Sequence, residues 1–175
     1  MRQLNVFINQ RQVGILFEES DIWAFQYDKQ WLQYHGNYPI CPQIPLQTEK
    51  QIDGSSKRYI QWFFDNLLPE EGARALLAKD IKADEADSFG ILAITGAETA
   101  GAITLTKRDS GNIEGSVQIL SIEDINSRIE KLPDIPLNNK ESKRMSIAGA
   151  QHKMLVIKDG NKFLEPGGSI PSSHI

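Results

Sequence analysis

RQLNVFINQRQVGILFEESDIWAFQY, residues 2–27, contains three runs in which apolar side chains recur at close spacing. The first two, residues 2–8 and 11–18, are separated by Asn9-Gln10, which predicts a tight hairpin. Residues 21–27 place apolar side chains at alternate positions, Ile22 and Ala24 on one face and Trp23, Phe25 and Tyr27 on the other, which predicts a third strand. Because strands joined by such short connections pair with their neighbours, the chain is expected to begin as an antiparallel meander.

A loop and a helix are predicted after the meander. Residues 36–46 hold three prolines, which favour an extended loop or edge segment because proline cannot donate to a strand ladder. Ser55 or Ser56 would cap a helix that extends to residue 67. The apolar face of this helix would consist of Tyr59, Phe63 and Leu67, with Ile60 beside them.

The next two helices are predicted from their end signals. Pro69 fits the first turn of a helix that runs to about residue 79, because a missing N–H is tolerated there. Asp84 or Asp87 opens the following helix, since aspartate caps helix N-termini well. That helix ends near Gly96.

The remainder of the chain is expected to contain short strands and one helix. Ser121 caps that helix, and Asp124 three residues later forms a weaker version of a capping box. Residues 133–143 hold two prolines and few apolar side chains, which indicates a linker. Strands are predicted at residues 100–106, 145–147, 152–158 and 162–165, with a turn at 159–161.

These patterns predict an α+β fold of two units. Residues 1–108 form the first, an antiparallel meander with helices. Residues 109–143 supply a helix and a linker. Residues 144–175 begin a β-rich second unit, which we expect to be incomplete because its last strand starts without a partner.

The composition disfavours several classes of function. The 175 residues carry a net charge of −4, which argues against direct binding to nucleic acid because that requires a basic surface. The single cysteine, Cys41, cannot form an internal disulfide, and with the three histidines it lacks the spacing of a zinc site. No signal peptide and no apolar run of about 20 residues is present, so we expect a cytoplasmic protein away from membranes.

One short segment has the composition of an anion-binding loop. The small residues 148–150 let backbone N–H groups approach a phosphate closely, as in anion-binding nests. Lys153 adds a point charge, and Arg144 lies two residues before Ser146, a hydroxyl that could carry a phosphate. The same residues fit a plain hairpin with small turn residues, and on the pattern alone that interpretation is favoured.

Three segments, in order along the chain, resemble the HipA family of bacterial serine/threonine kinase toxins. Residues 63–70, FFDNLLPE, are similar to a signature of the family's N-terminal subdomain. Residues 96–105, GAETAGAITL, resemble the closing turn and strand of that subdomain. Residues 144–153, RMSIAGAQHK, resemble the family's SVAGAQEK loop, and proline-containing segments at 166–168 and 171–175 follow it at the expected distance.

The resemblance implies roles for the third segment. Ser146 corresponds to the serine that the family autophosphorylates, and Arg144 is a candidate partner for its phosphate. His152 stands where the family often has Glu, so no role of that acidic side chain is carried over. The loop that covers the ATP phosphates corresponds to Ile147, Ala148, Gly149, Ala150, Gln151, His152 and Lys153.

The resemblance also implies what this chain lacks. The family's ATP-contacting lysine lies just beyond position 175, and its catalytic and Mg²⁺-binding aspartates lie further on. No catalytic residue and no metal ligand is therefore expected within the chain. ATP and Mg²⁺ would serve the complete protein, and this portion alone is expected to be inactive and to bind neither tightly.

Two functions are consistent with the resemblance. The first is the N-terminal part of a kinase toxin of a type II toxin–antitoxin system linked to persistence. It would phosphorylate a cytoplasmic protein, aminoacyl-tRNA synthetases being the family's substrate class, and be restrained by a cognate HipB-like DNA-binding antitoxin. The second is a non-catalytic interaction module, equivalent to an antitoxin-like subunit that some relatives make separately. Extension of the chain through the Ser146 loop towards the remainder of a kinase domain favours the first.

Overall fold

The computed structural model describes residues 1–9, 11–97, 99, 102–107, 116–132, 149, 151–167, 170 and 172–175. Within these residues it shows two antiparallel sheets, one of five strands and one of three, together with five helices. The predicted α+β fold class is confirmed.

The five-stranded sheet is built on the predicted meander. Its three long strands, which pair in sequence order, are β1 (Arg2–Ile8), β2 (Arg11–Glu19) and β3 (Ile22–Tyr27). β4 (Gln51–Ile52) extends the sheet beside β3, and β5 (Ile103–Thr106) extends it beside β1. The resulting order is β4-β3-β2-β1-β5. The predicted strand at 100–106 is thus present in its second half, whereas residues 100 and 101 lie outside the described residues.

Two residues allow the meander to turn and to pack closely. Asn9 ends the first strand with a φ of 48°, in the left-handed region that asparagine tolerates better than most residues. At Gly14 a Cβ would lie 2.3 Å from the carbonyl oxygen of Gln26 and 2.6 Å from Cζ of Phe25. Glycine at this position therefore lets β2 and β3 approach without collision.

Four helices share one hydrophobic core with this sheet: α1 (Lys29–Gln33), α2 (Tyr59–Asp65), α3 (Glu71–Ile81) and α4 (Ser88–Thr95). Aromatic pairs join the layers. The ring centroids of Trp23 and Phe89 are 5.2 Å apart, and those of Phe25 and Phe64 are 5.9 Å apart. Burying each phenylalanine contributes roughly 2–3 kcal/mol, so these pairs fix α2 and α4 on the sheet.

The start of α2 differs from the prediction. Arg58 occupies its N-cap without a side-chain cap, and neither Ser55 nor Ser56 caps it. Asp53 does so from outside the helix, because its carboxylate accepts from the backbone N–H groups of Ile60 at 2.9 Å and of Gln61 at 2.8 Å. The prediction that Ser55 or Ser56 caps α2 was wrong, because the cap comes from Asp53, which lies before both serines in the chain.

The buried face of α2 also differs from the prediction. Ile60 and Phe64 are buried, whereas Tyr59 is 41% exposed. The face that points into the core is therefore shifted by one position from the predicted Tyr59–Phe63–Leu67 stripe. Phe63 and Leu67 pack only at its margin.

The ends of the next two helices are partly as predicted. Asp87 is the N-cap of α4 and accepts from the backbone N–H of Gly90 at 3.0 Å, and Gly96 is its C-cap. Pro69, however, is not in the first turn of α3, which begins two residues later at Glu71. Pro69 instead forms a strand-like bridge to a distant part of the chain.

The three-stranded sheet has the order β6-β8-β7, from β6 (Ser116–Leu120), β8 (Lys162–Gly167) and β7 (Ile157–Asp159). β7 and β8 are joined by the predicted turn, in which Gly160 has a φ of 55°. α5 (Ile122–Glu130) follows β6, and Ser121 and Asp124 form the predicted capping box. β6 was not predicted from the sequence.

The strand predicted at 152–158 is shorter in the structure. Regular pairing begins at Ile157, and Val156 makes only an isolated bridge to His174. The strand predicted at 145–147 lies outside the described residues. The unit boundaries 1–108, 109–143 and 144–175 remain predictions. The helices within the described ranges include none that is long and apolar enough to cross a membrane.

Candidate functional site

The predicted phosphate loop is described at four positions: Gly149, Gln151, His152 and Lys153. Arg144, Ser146, Ile147, Ala148 and Ala150 lie outside the described residues. Their proposed roles therefore remain predictions. The described positions nevertheless show where the loop meets the rest of the molecule.

Gly149 contacts the segment FFDNLLPE. It forms a parallel bridge with Pro69, and its carbonyl oxygen accepts a hydrogen bond of 3.2 Å from the backbone N–H of Glu70. Its φ of 103° is a conformation that L side chains rarely adopt. Two of the three segments singled out in the sequence are thus brought together by tertiary structure.

Lys153 lies against the same glycine. Its Nζ is 2.7 Å from the position that a Cβ on residue 149 would occupy. A side chain at 149 would therefore both strain the backbone and displace the ammonium group. One positive charge thus lies beside a glycine, whose backbone is open to close approach because the residue has no Cβ. A phosphate oxygen can be bound in such an environment.

The segment that receives Gly149 is held by a polar network. Oδ1 of Asp65 accepts from Oγ of Ser88 at 2.6 Å and from Nη1 of Arg74 at 2.9 Å. Arg74 also donates to Oγ of Ser88 at 2.7 Å and to the carbonyl of Glu85 at 3.0 Å. Asp65 therefore ties the end of α2 to α3 and α4. Sequence reasoning missed this network because its members lie 9 and 23 residues from Asp65.

Apolar burial and backbone strain mark the same corner. Leu68 is fully buried, and Pro69 is buried beside it. Glu71, the first residue of α3, has a φ of 49°, which costs a non-glycine residue on the order of 1 kcal/mol. We refer to Leu68, Pro69, Glu70 and Glu71 as the α3 corner. Leu68 anchors the corner in the packed core, and the Asp65 network joins the helices that precede and follow it.

Other predicted residues have structural roles or none that the geometry assigns. Trp62 is 50% exposed, which confirms that the aromatic residues of α2 cannot all face the core. Asp87 caps α4, one of the two predicted alternatives, whereas Asp84 accepts from the N–H of Ala86 at 2.9 Å in the turn before that helix. Among the described residues there is no group of three His, Cys, Asp or Glu side chains that could hold a metal ion.

Comparison with known proteins adds independent observations. A family model described as the HipA N-terminal domain matches residues 4–106. The serine/threonine-protein kinase toxin HipA of Shewanella oneidensis is 30% identical over 158 aligned positions, which cover 89% of this chain and 35% of that protein. Y4mE of Sinorhizobium fredii, a kinase by name, is 32% identical over 185 positions, which cover 100% of this chain and 43% of that protein.

A solved structure is similar over nearly the whole chain. It is a chain of the Shewanella oneidensis complex of HipA, HipB and operator DNA, with a TM-score of 0.73 and 28% identity, and the match covers 97% of this chain and 39% of that chain. The chain thus spans less than half the length of the relatives it matches. The family match, the sequence relatives and the shared fold agree with one another. The chain therefore belongs to the HipA family, and residues 4–106 form its HipA N-terminal domain.

Proposed function

We propose that this chain is the N-terminal portion of a HipA-like serine/threonine kinase toxin of a type II toxin–antitoxin system. In this proposal the complete protein transfers phosphate from ATP to a cytoplasmic protein target. The observation that carries the proposal is the contact between Gly149 and the α3 corner. It joins the HipA N-terminal domain to the loop that resembles the family's ATP-phosphate loop.

The described loop residues fit a phosphate group. Gly149 offers a backbone with no Cβ, and Lys153 places its ammonium group beside it. In the complete protein these two residues would contact the ATP phosphates, with the remaining positions from 147 to 153 continuing the loop. Positioning and charge neutralisation are the main contributions that a protein makes to phosphoryl transfer.

Metal binding and proton transfer are assigned to the remainder of the complete protein. By the resemblance, the family's ATP-contacting lysine and its catalytic and Mg²⁺-binding aspartates lie beyond position 175. We therefore propose that ATP and Mg²⁺ act in the complete protein and that residues 1–175 alone bind neither tightly. Kinase activity is not expected from residues 1–175 alone.

Ser146 is the proposed site of autophosphorylation. A phosphate there adds about −1.5 to −2 charge at neutral pH, close in sequence to Arg144 and Lys153. It would compete with the ATP phosphates for the same cations and loop backbone. Phosphorylation would then favour an inactive loop conformation.

The test is mass spectrometry of the complete protein after incubation with Mg²⁺ and ATP. Phosphate on Ser146 is expected, and Ser146→Ala should abolish it at this peptide. Residues 1–175 serve as the control and should remain unphosphorylated. Phosphate only at other positions of the active protein would show that Ser146 is the wrong residue, and transfer by purified 1–175 would contradict the assignment of the chemistry to the remainder.

The proposed partners are a HipB-like DNA-binding antitoxin and a protein substrate. The Shewanella oneidensis HipA structure is a complex with HipB and operator DNA. The net charge of −4 makes direct contact of this chain with DNA unfavourable, so DNA would be reached through the antitoxin. We place the complete protein in the cytoplasm, away from the membrane.

A second candidate is a non-catalytic module that docks on a separate kinase chain. The observation in its favour is an exposed aromatic pair on α2, Tyr59 and Trp62, which are 41% and 50% exposed and pack edge-on with ring centroids 5.7 Å apart. The nucleotide sequence after the codon for Ile175 separates the two candidates. An open frame that encodes a lysine and later aspartates supports the kinase, whereas a stop codon supports the module.

A further inference from the structure

We propose that the α3 corner positions the phosphate loop, so that the HipA N-terminal domain tunes nucleotide binding through the hydrogen bond from the Glu70 N–H to the Gly149 carbonyl. This inference rests on the proposed function, because it assumes that the loop receives ATP phosphates. It assigns the segment FFDNLLPE a specific task. The corner would act as a positioning element and would not touch the reacting atoms.

The contact joins parts of the chain that are remote in sequence. Pro69 and Glu70 directly precede α3, whereas Gly149 belongs to the loop that ends at Lys153. The contact is made by backbone atoms: a parallel bridge and a hydrogen bond of 3.2 Å. It therefore depends on where the backbone of the corner is held and not on the identity of the Glu70 side chain, which is exposed and makes no capping hydrogen bond to α3.

The α3 corner and Gly149, which form the two sides of this contact, differ in conformational freedom. The corner is fixed by the buried Leu68 and by the network of Asp65, Arg74 and Ser88. A glycine with φ near 103° is in a region that glycine enters and leaves easily, because it has no Cβ. A hydrogen bond from a fixed donor to this glycine reduces the number of conformations available to the loop. Less ordering then remains for the nucleotide to achieve, and binding is tighter.

The ammonium group of Lys153 lies beside Gly149, so the position of this glycine bears on where the positive charge of the loop lies. Its Nζ lies 2.7 Å from the Cβ position of residue 149, so the ammonium group and the docked glycine share one small volume. The hydrogen bond from Glu70 fixes the glycine member of this pair. The corner would thus keep the loop backbone and its cation together in the conformation that receives a phosphate.

The experiment compares two substitutions at one residue of the complete protein. Glu70→Pro removes the N–H that donates to Gly149, whereas Glu70→Ala retains it. With Mg²⁺ and a non-hydrolysable ATP analogue, Glu70→Pro should raise the dissociation constant roughly two- to tenfold, the range expected for one net hydrogen bond. Glu70→Ala should bind the analogue with the wild-type dissociation constant. Equal affinity of Glu70→Pro and the wild type would overturn the proposal, as would equal weakening by both substitutions.

The φ of −114° at Glu70 differs from the value that proline prefers, so Glu70→Pro can also disturb the fold of the corner. A second measurement therefore uses the wild-type protein alone. In the wild-type complete protein, hydrogen exchange at the Glu70 amide should slow when the analogue binds, because nucleotide and corner stabilise the same loop conformation. Unchanged exchange at saturating analogue would overturn the proposal. Failure of the wild type to bind the analogue would instead remove the proposed function itself, which distinguishes the two failures.

Discussion

The two sheets are both antiparallel, but they bury very different amounts of apolar side chain. All members of the main core cluster lie between Leu4 and Leu105, in the unit of the five-stranded sheet. Beyond residue 106, the buried apolar side chains within the described residues are Leu120, Leu155, Val156 and Pro166. The N-terminal unit thus has the core that an independently folding domain requires, whereas the described part of the three-stranded unit buries few apolar side chains.

The surface of the three-stranded unit shows the same difference. Four of its aliphatic side chains are about half exposed or more: Val117 at 45%, Ile119 at 75%, Ile122 at 58% and Ile129 at 53%. None of the residues of α5 is buried. An ion pair compensates in part, because Arg128 donates to both oxygens of Glu165, each at 2.8 Å. The N-terminal unit is thus held by a large apolar core, whereas the described part of the three-stranded unit combines a few buried apolar side chains with this ion pair.

The largest expected effect is in the N-terminal core. Phe64→Ala removes a fully buried ring that packs on Phe25 and should lower the free energy of unfolding by about 3–5 kcal/mol. Trp62→Ala, two residues earlier on the exposed face of α2, is the control and should change it little. Denaturant unfolding followed by circular dichroism measures both. Similar values for the two variants would break the distinction between a core face and a solvent face.

A smaller effect is expected at the ion pair of the three-stranded unit. Arg128→Ala leaves the carboxylate of Glu165 buried without that guanidinium, and loss of hydrogen bonds to a charged group costs roughly 1.5–3 kcal/mol. The effect should appear as faster hydrogen exchange of β8, with the five-stranded sheet unaffected. Arg58→Ala breaks the more exposed pair with Asp21 and should cost under about 1 kcal/mol. Equal protection of β8 in both variants would contradict the proposed dependence on this ion pair.

The smallest effect is a pH dependence of the N-terminal unit. Hydrogen bonds from the Arg2 guanidinium hold the pKa of Asp87 below its usual value of 3.8. The ionised carboxylate therefore contributes stability above about pH 4, and this contribution is lost as the pH falls through the lowered pKa. Burial raises the pKa of Asp53, so its contribution has the opposite sign and is lost as the pH rises through that raised value.

Asp87→Asn tests this pH dependence while retaining a good helix cap. The fall in unfolding free energy between about pH 5 and pH 3 should become shallower, with a change under about 1 kcal/mol because the pair is partly exposed. Urea unfolding across this range provides the measurement. Asp159→Asn, in the three-stranded unit, is the matched control and should leave the slope for the N-terminal unit unchanged. A steeper slope for Asp87→Asn would show that the sign is wrong.

The sequence predicted the elements whose signals are local. The three strands of the meander, the cap of α4 at Asp87 and the capping box of Ser121 and Asp124 all follow from residues within a few positions of one another. The resemblance to the HipA family also rests on short contiguous segments, and comparison with known proteins confirmed it. Backbone propensity and capping depend on neighbouring residues, which is why such features can be predicted from one sequence.

The tertiary structure decided the features that depend on distant partners. Only the fold shows that Asp53 caps α2, that Ile60 and Phe64 form its buried face, and that β6 pairs with β8. It also places Glu70 against Gly149, a contact that no local pattern in either segment predicts. The physical reason is that a side chain or backbone group far along the chain becomes a neighbour only when the packed core brings it there, so its contribution is absent from any window of sequence.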